Sequence, residues 1–327
     1  VKPRFVNEKC TGCGLCEAAA TTEIPDSFNY GLSKVKAAYL PHEFAFPFRY
    51  VVAPEVIGTD EAAAIMAACP YGAVDLDMKP ERFDLKVGAV VWATGWAPYD
   101  AEKIPYYGFG KHKNVVSNVI MERLASGNGP TGGKIVRLSD GGEVKKVAFV
   151  QCAGSRDENH LAYCSGVCCL ASLKQATYVL EQNPEARVSI FYIDIRALGK
   201  YEDFFTRVQS DERLTLIKGK AGEITEDPQT GLVTVQVEDQ STGDILREQF
   251  DLVVLATGMV PNAADGAAIR AVKDARATLA RAEATEPQKA DARQKIEHLA
   301  HHEGTEILNL TYRQGPDLPV HRYGFPD

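Results

Sequence analysis

Residues 146–195 read KVAFVQCAGSRDENHLAYCSGVCCLASLKQATYVLEQNPEARVSIFYIDI. Lys146–Gln151 is a short apolar run that ends on Cys152. Ala171–Gln182 sets Leu173, Ala176, Val179 and Leu180 at helical spacing, and Arg187–Ile195 is a second apolar run. Apolar runs of this length, bounded by turn residues and separated by one amphipathic helix, predict parallel strands buried on both faces. Working outward, Tyr201–Gln209 reads as a helix and Leu214–Lys218 as a strand. Gly222–Ile224, Leu232–Glu238 and Ile245–Phe250 read as antiparallel strands, with turns at Asp227-Pro228 and Thr242-Gly243. FDLVVLATGMVPN (250–262) then supplies a returning strand. The order describes an α/β nucleotide-binding-domain plan.

One internal echo stands out. LKVGAVVWATGW (85–96) predicts a buried strand that ends at Ala93-Thr94-Gly95, as 250–262 ends at Ala256-Thr257-Gly258. Four segments follow: 1–80, a small module; 81–145, a partial domain segment and linker; 146–262, the α/β domain; and 263–327, a helical hairpin with a Pro-rich tail. Within the first, Val1–Asn7 predicts a strand and Ala62–Ala68 a helix that delivers Cys69. Phe28, Tyr30, Tyr39, Phe44, Phe46 and Phe48 lie in a loop-rich stretch, as a small core or as a shield for a metal centre. The hairpin breaks at Glu286-Pro287.

The eight cysteines divide into two quartets with none left over. Cys10, Cys13 and Cys16 form C-x2-C-x2-C, and Cys69 precedes Pro70 far downstream. A compact loop with Gly12 and Gly14 gathers three sulfurs, and a distant Cys-Pro adds a fourth, as in half of a bacterial ferredoxin. Ala20 stands where a second-cluster ligand would be, so one four-iron cluster is expected. Structural zinc, which favours two separated pairs, is the alternative, followed by disulfides or free thiols. Cys152, Cys164, Cys168 and Cys169 form C-x11-C-x3-C-C. Cys152-Ala153-Gly154 replaces the G-x-G-x-x-G turn of a dinucleotide-binding unit. Cys168 and Cys169, about 100° apart on a helix, are expected to bind from an irregular first turn. By spacing alone this quartet suits a second cluster, zinc, a redox disulfide or buried thiols. His160 lies between them as a polar loop residue, a ligand or a proton carrier.

Lys and Arg number 36 against 44 Asp and Glu, a net charge of -8. That balance disfavours nucleic acid, which requires a basic face. No apolar run suits a bilayer span and the N-terminus lacks a secretory pattern. The expectation is therefore a cytoplasmic setting, where clustered cysteines serve as metal or redox groups.

The stretch 147–182 resembles the A subunits of heterodisulfide reductases, and within that family most closely the A and B subunits of the quinone-interacting membrane-bound oxidoreductase (Qmo). KCTGCGLC (9–16), ACPYGAVDLDM (68–78), VGAVVWATGW (87–96), YGFG (107–110), GKYEDFFTRVQ (199–209) and DLVVLATGMVPN (251–262) extend the resemblance over about residues 1–262. The tail 310–327 weakly resembles the B-type Qmo subunit. The resemblance implies a thioredoxin-reductase-like flavoprotein core. Its FAD half is incomplete here, its second domain is Rossmann-like, and a ferredoxin-like insert carries one cluster. It further implies [4Fe-4S] clusters on both quartets and FAD touching Ala93, Thr94 and Gly95. The glycine-rich FAD fingerprint has no counterpart in this sequence. Implied partners are other heterodisulfide reductase or Qmo subunits, adenylylsulfate reductase and a membrane quinone-reactive subunit, through which a chain that does not itself enter the membrane would associate with one.

The functional expectation is an electron-transfer component of a flavin and iron–sulfur oxidoreductase. Two alternatives differ in kind. One is a pyridine-nucleotide:disulfide-type reductase with redox-active cysteines, weakened by the missing G-x-G-x-x-G. The other is a non-catalytic, zinc-stabilised assembly subunit. His298, His301 and His302 fall at i, i+3, i+4 on a charged helix, where solvated side chains are the default.

Overall fold

The computed structural model describes residues 2–91, 93–262 and 266–299. The chain divides into two compact units, one built from 1–86 with 120–136, the other from 87–119 with the chain from Arg137 onward.

The larger unit carries a five-stranded parallel sheet, in the order Val115–Ser117, Leu252–Leu255, Lys146–Val150, Arg187–Tyr192, Leu214–Lys218. The returning strand predicted from 250–262 is therefore inserted beside Lys146–Val150, with Val254 opposite Phe149. Val147 to Val150 and Leu252 to Leu255 are all buried, as expected where both sheet faces are covered. Alternating residues serve opposite faces. Ala148, Val150, Val253 and Leu255 join a core with Ile224, Val233, Val235, Val237 and Phe250. Those last five come from a three-stranded antiparallel sheet of Ala221–Glu226, Val233–Glu238 and Ile245–Phe250. The helix Cys168–Gln182 buries Leu173, Ala176, Val179 and Leu180 and lies against Arg187–Tyr192.

The segment 85–96 corrects the sequence expectation. Residues 85–91 form no strand and are exposed, Leu85 by 80% and Val91 by 84%. An apolar run becomes a buried strand only where neighbours satisfy its amides and carbonyls, and no described strand pairs with 85–91. Pairing starts at Trp96–Pro98, antiparallel to Met259–Pro261. The two segments that follow the Ala-Thr-Gly turns thus meet each other.

In the same unit, Gly266–Ala280 and Glu286–His298 form helices. Glu286-Pro287 opens the second helix rather than breaking one, because proline suits a first helical turn. Gln288 Oε1 accepts from the Thr285 amide at 2.9 Å, half of a capping box. His301, His302 and the tail 310–327 lie outside the described residues.

In the smaller unit, Val6, Ala37, Ala38, Val52, Ala53, Ile65 and Ala73 form the core. The strand predicted at Val1–Asn7 reduces to one bridge, Val6 to Val74. Thr59 caps the helix Asp60–Ala67, its hydroxyl accepting from the Ala62 amide, with Asp60 and Glu61 in the first turn. The aromatic stretch is mostly outside this core: Phe44 is 84% and Phe46 96% exposed. Segment 120–136 closes the unit. Arg123 donates from Nε to Asn29 Oδ1 at 2.9 Å and lies over the Phe28 ring at 4.4 Å.

Glu61 ties the helix to the loop before it, accepting from the Thr22 hydroxyl and from the amides of Thr22 and Thr21 at 2.8 and 2.7 Å. These bonds, the Thr22 hydroxyl first, hold its carboxyl down at about 2. A depressed carboxyl stabilises the fold above its unfolded value near 4.5 and loses that contribution as pH falls toward 2. Glu61→Gln is expected to lower the denaturation midpoint at neutral pH. Its deficit should vanish near pH 2, as read from urea curves across that window.

Candidate metal centres

The first quartet is assembled by two tight local structures. Gly12 and Gly14 take φ of 72° and 81°, left-handed values that glycine adopts without strain. A Cβ at Gly12 would run into the Phe48 ring. Cys16 lies in the short helix Leu15–Ala19, and Cys69 follows Asp60–Ala67. Cys10, Cys13, Cys16 and Cys69 line one pocket, walled by Val6, Tyr50, Tyr71 and Val74. Burial pushes the Cys16 thiol up to about 11. Burial also acts to raise Cys69, but the amides of Ala73, Tyr71, Val74 and Gly72 outweigh it and hold that thiol below its ordinary value. The Ala73 amide donates to Sγ at 3.3 Å. Four successive amides turned on one sulfur make an anion-binding concavity. Beside it, Tyr50 donates its hydroxyl to Glu17 at 2.9 Å.

The second quartet sits where the parallel sheet meets its first helix. Cys152 follows the strand Lys146–Val150 with φ of 55°, and Arg156 has φ of 60°. Non-glycine residues in this region store strain, a frequent mark of functional loops. Cys168 and Cys169 occupy the first turn of a helix that is regular from Cys168 onward. The irregular first turn expected from the sequence is not formed; the loop from Cys152 to Cys164 carries the irregularity instead. Burial raises the thiols of Cys152, Cys168 and Cys169, with Cys168 pushed up to about 12. Mutual repulsion among these three and Cys164 adds to it. The four are therefore close enough to interact as charges.

Sequence reasoning assigned no site role to Gly258, Asp194 or Arg196, which lie beside this quartet. Gly258, in the second Ala-Thr-Gly turn, has φ of 81° and turns its amide on Cys168. A Cβ there would strike Ser155 Oγ and approach Ser165 Oγ to 3.0 Å. The repeated turn was the available signal. Asp194 and Arg196 also reach the site: the Asp194 carbonyl lies 3.7 Å from Cys169 Sγ, and the Arg196 amide donates to the same sulfur. His160 is paired with Tyr99, Nδ1 to hydroxyl, at 2.9 Å.

Ala93, Thr94 and Gly95 are exposed. Two of their carbonyls are taken by Asn262, whose side-chain amide donates to Thr94 at 3.0 Å and whose backbone amide donates to Gly95 at 3.1 Å. They form a turn fastened by that one residue. Among the described residues, no three His, Cys, Asp or Glu side chains are set to hold a single metal ion. All eight cysteines are free of disulfides. Among the described residues no helix is long and apolar enough to cross a membrane.

No family model matches the chain. Curated relatives do. The second iron-sulfur A subunit of CoB–CoM heterodisulfide reductase from Methanopyrus kandleri is 41% identical over 263 residues, 80% of this chain and 40% of that relative. Over the aligned residues the chain is similar to the A subunits of heterodisulfide reductases. Its counterpart in Methanocaldococcus jannaschii is 40% identical over 263 residues, again 80% of this chain and 40% of the relative. The A subunit of the ferredoxin/F420H2-dependent CoB–CoM heterodisulfide reductase from Methanosarcina acetivorans is 41% identical over 271 residues, 81% and 34% respectively. The chain spans about two fifths or less of the length of these relatives. Solved structures similar to it include T. acidophilum thioredoxin reductase (15% identity, 51% of this chain and 43% of that one, TM-score 0.29). Another is L-lysine 6-monooxygenase of Pseudomonas syringae (9% identity, 46% and 42%, TM-score 0.30).

Proposed function

We propose that the chain is the electron-carrying part of a heterodisulfide-reductase-type flavin and iron–sulfur oxidoreductase. Cys10, Cys13, Cys16 and Cys69 would hold one four-iron cluster, and Cys152, Cys164, Cys168 and Cys169 another. The observation that carries this is the convergence of Cys69 with the C-x2-C-x2-C loop on one pocket. The donor set fits: four thiolates per centre, glycine-shaped loops, and amides turned on Cys69 and Cys168.

When bound, such clusters supply one-electron oxidation and reduction. The chain's own contribution is ligation, exclusion of water and partial charge. Val6, Tyr50 and Val74 wall the first centre. The amides of residues 71–74 favour charge on the Cys69 sulfur, and the Gly258 amide does so for Cys168.

Ala93, Thr94 and Gly95 would contact a flavin, a role supported by the resemblance of 87–96. Partners are proposed to be other heterodisulfide-reductase-type subunits, since the relatives are named as A subunits of such enzymes. The narrower Qmo version, with adenylylsulfate reductase and a quinone-reactive membrane subunit, rests on sequence resemblance alone.

The test is iron and sulfide content with EPR and absorption spectra of anaerobically purified protein. About eight irons per chain are expected from two four-iron clusters. About four would leave only one cluster and overturn the two-cluster reading, and fewer than that, or zinc in their place, would overturn the iron–sulfur reading altogether. Flavin released on denaturation would support the contact at Gly95, and a flavin-free protein would remove it.

A further inference from the structure

Asp194 lies just beyond the strand Arg187–Tyr192 and holds two arginines at once. Arg156 Nη1 is 2.8 Å from its Oδ2, and Arg196 Nε is 3.3 Å from its Oδ1. One carboxylate cannot neutralise two guanidinium groups, so the trio keeps a net positive charge. Both arginines also address the second quartet. The Arg156 charge acts on Cys152 and the Arg196 charge on Cys164, and the backbone carbonyl of Asp194, which holds both arginines, lies 3.7 Å from Cys169 Sγ. The Arg156 Nη1 atom is buried, and although it is within ion-pair range of Asp194, no aligned hydrogen bond leaves it. The backbone that aims this side chain is strained, with positive φ at both Cys152 and Arg156. An ordinary surface ion pair involves neither a strained loop nor a surplus charge turned on sulfur ligands.

We propose that Arg156 and Arg196, clamped on Asp194, are positioning residues that raise the reduction potential of the centre on Cys152, Cys164, Cys168 and Cys169. The inference rests on the two-cluster reading above. Reduction adds one electron and no proton, so one negative charge joins an already anionic group of thiolates. A fixed guanidinium charge stabilises the reduced form more than the oxidised form, and local charge and hydrogen bonds to the sulfurs are levers on such potentials. The only other described ion pair in this loop, Asp157 with Lys220 at 2.8 Å, is internally balanced.

The experiment is a mediated dithionite titration of the full chain, purified anaerobically and followed by EPR, on Arg156→Gln, Arg196→Gln and the charge-keeping Arg156→Lys and Arg196→Lys. Each glutamine variant is expected to lower the reduced-to-oxidised ratio of the second centre about tenfold at a fixed potential, equivalent to about 59 mV for a one-electron couple. The lysine variants should recover most of that shift, and the first centre should not move. A second-centre potential unchanged in both glutamine variants, at wild-type iron content, would overturn the inference. So would lysine variants shifted as far as glutamine. About four irons in the unmutated chain would overturn the two-cluster reading and this inference with it.

Discussion

Cys164→Ser is expected to halve the iron of the chain, from about eight to about four atoms, while the EPR signal of the first centre persists. Cys164 lies in the loop between the strand Lys146–Val150 and the helix Cys168–Gln182, so its loss leaves both elements intact. It is also the cysteine whose charge contributes to raising both Cys152 and Cys169. Serine replaces a thiolate by a hydroxyl that stays protonated at neutral pH, a poor fourth ligand. The measurement is iron and acid-labile sulfide per chain, with the visible absorbance. Retention of all the iron would mean that Cys164 is not a ligand. Loss of both signals would mean that the two centres are not independent.

Phe149→Ala is expected to cost about 3–5 kcal/mol, the range for truncating a large buried aromatic side chain. Phe149 is 0% exposed and is flanked in register by Val254 and Ile190. Its strand leads straight into Cys152, so the second cysteine set loses its anchor as the sheet loosens. Against a typical total of about 5–15 kcal/mol, one such change consumes much of the margin. A large fall in the denaturation midpoint checks it. A fall worth under about 1 kcal/mol would show that the site collapses to fill the space.

The parallel sheet was legible because its strands are continuous apolar runs of Val, Ile, Leu and Phe bracketed by turns. That pattern belongs to strands covered on both faces, and Lys146–Val150, Arg187–Tyr192 and Leu252–Leu255 carry it. The same pattern misled at 85–91. Hydrophobicity states that a segment favours burial, while pairing depends on a neighbour that composition does not reveal. The candidate ligands were legible because cysteine spacing is a local signal, and the convergence of Cys69 with Cys10, Cys13 and Cys16 followed from the Cys-Pro context. Asp194 and Arg196 were not legible: they approach Cys169 through the register of the sheet, from positions 25 or more residues away, and no local pattern records that. Gly258 approaches Cys168 and was signalled only by its repeated turn.

The smaller unit is discontinuous in the chain, and that has a practical outcome. Residues 120–136 complete what 1–86 begins, through Arg123 against Asn29 and Phe28. The irregular, solvent-facing stretch around Lys86 is open to trypsin. Scission there would sever the peptide without freeing the amino-terminal piece, because the segment that holds it remains covalently part of the other fragment. The nicked protein should therefore elute as one species and part only in denaturant, taking its four early cysteines with the lighter fragment.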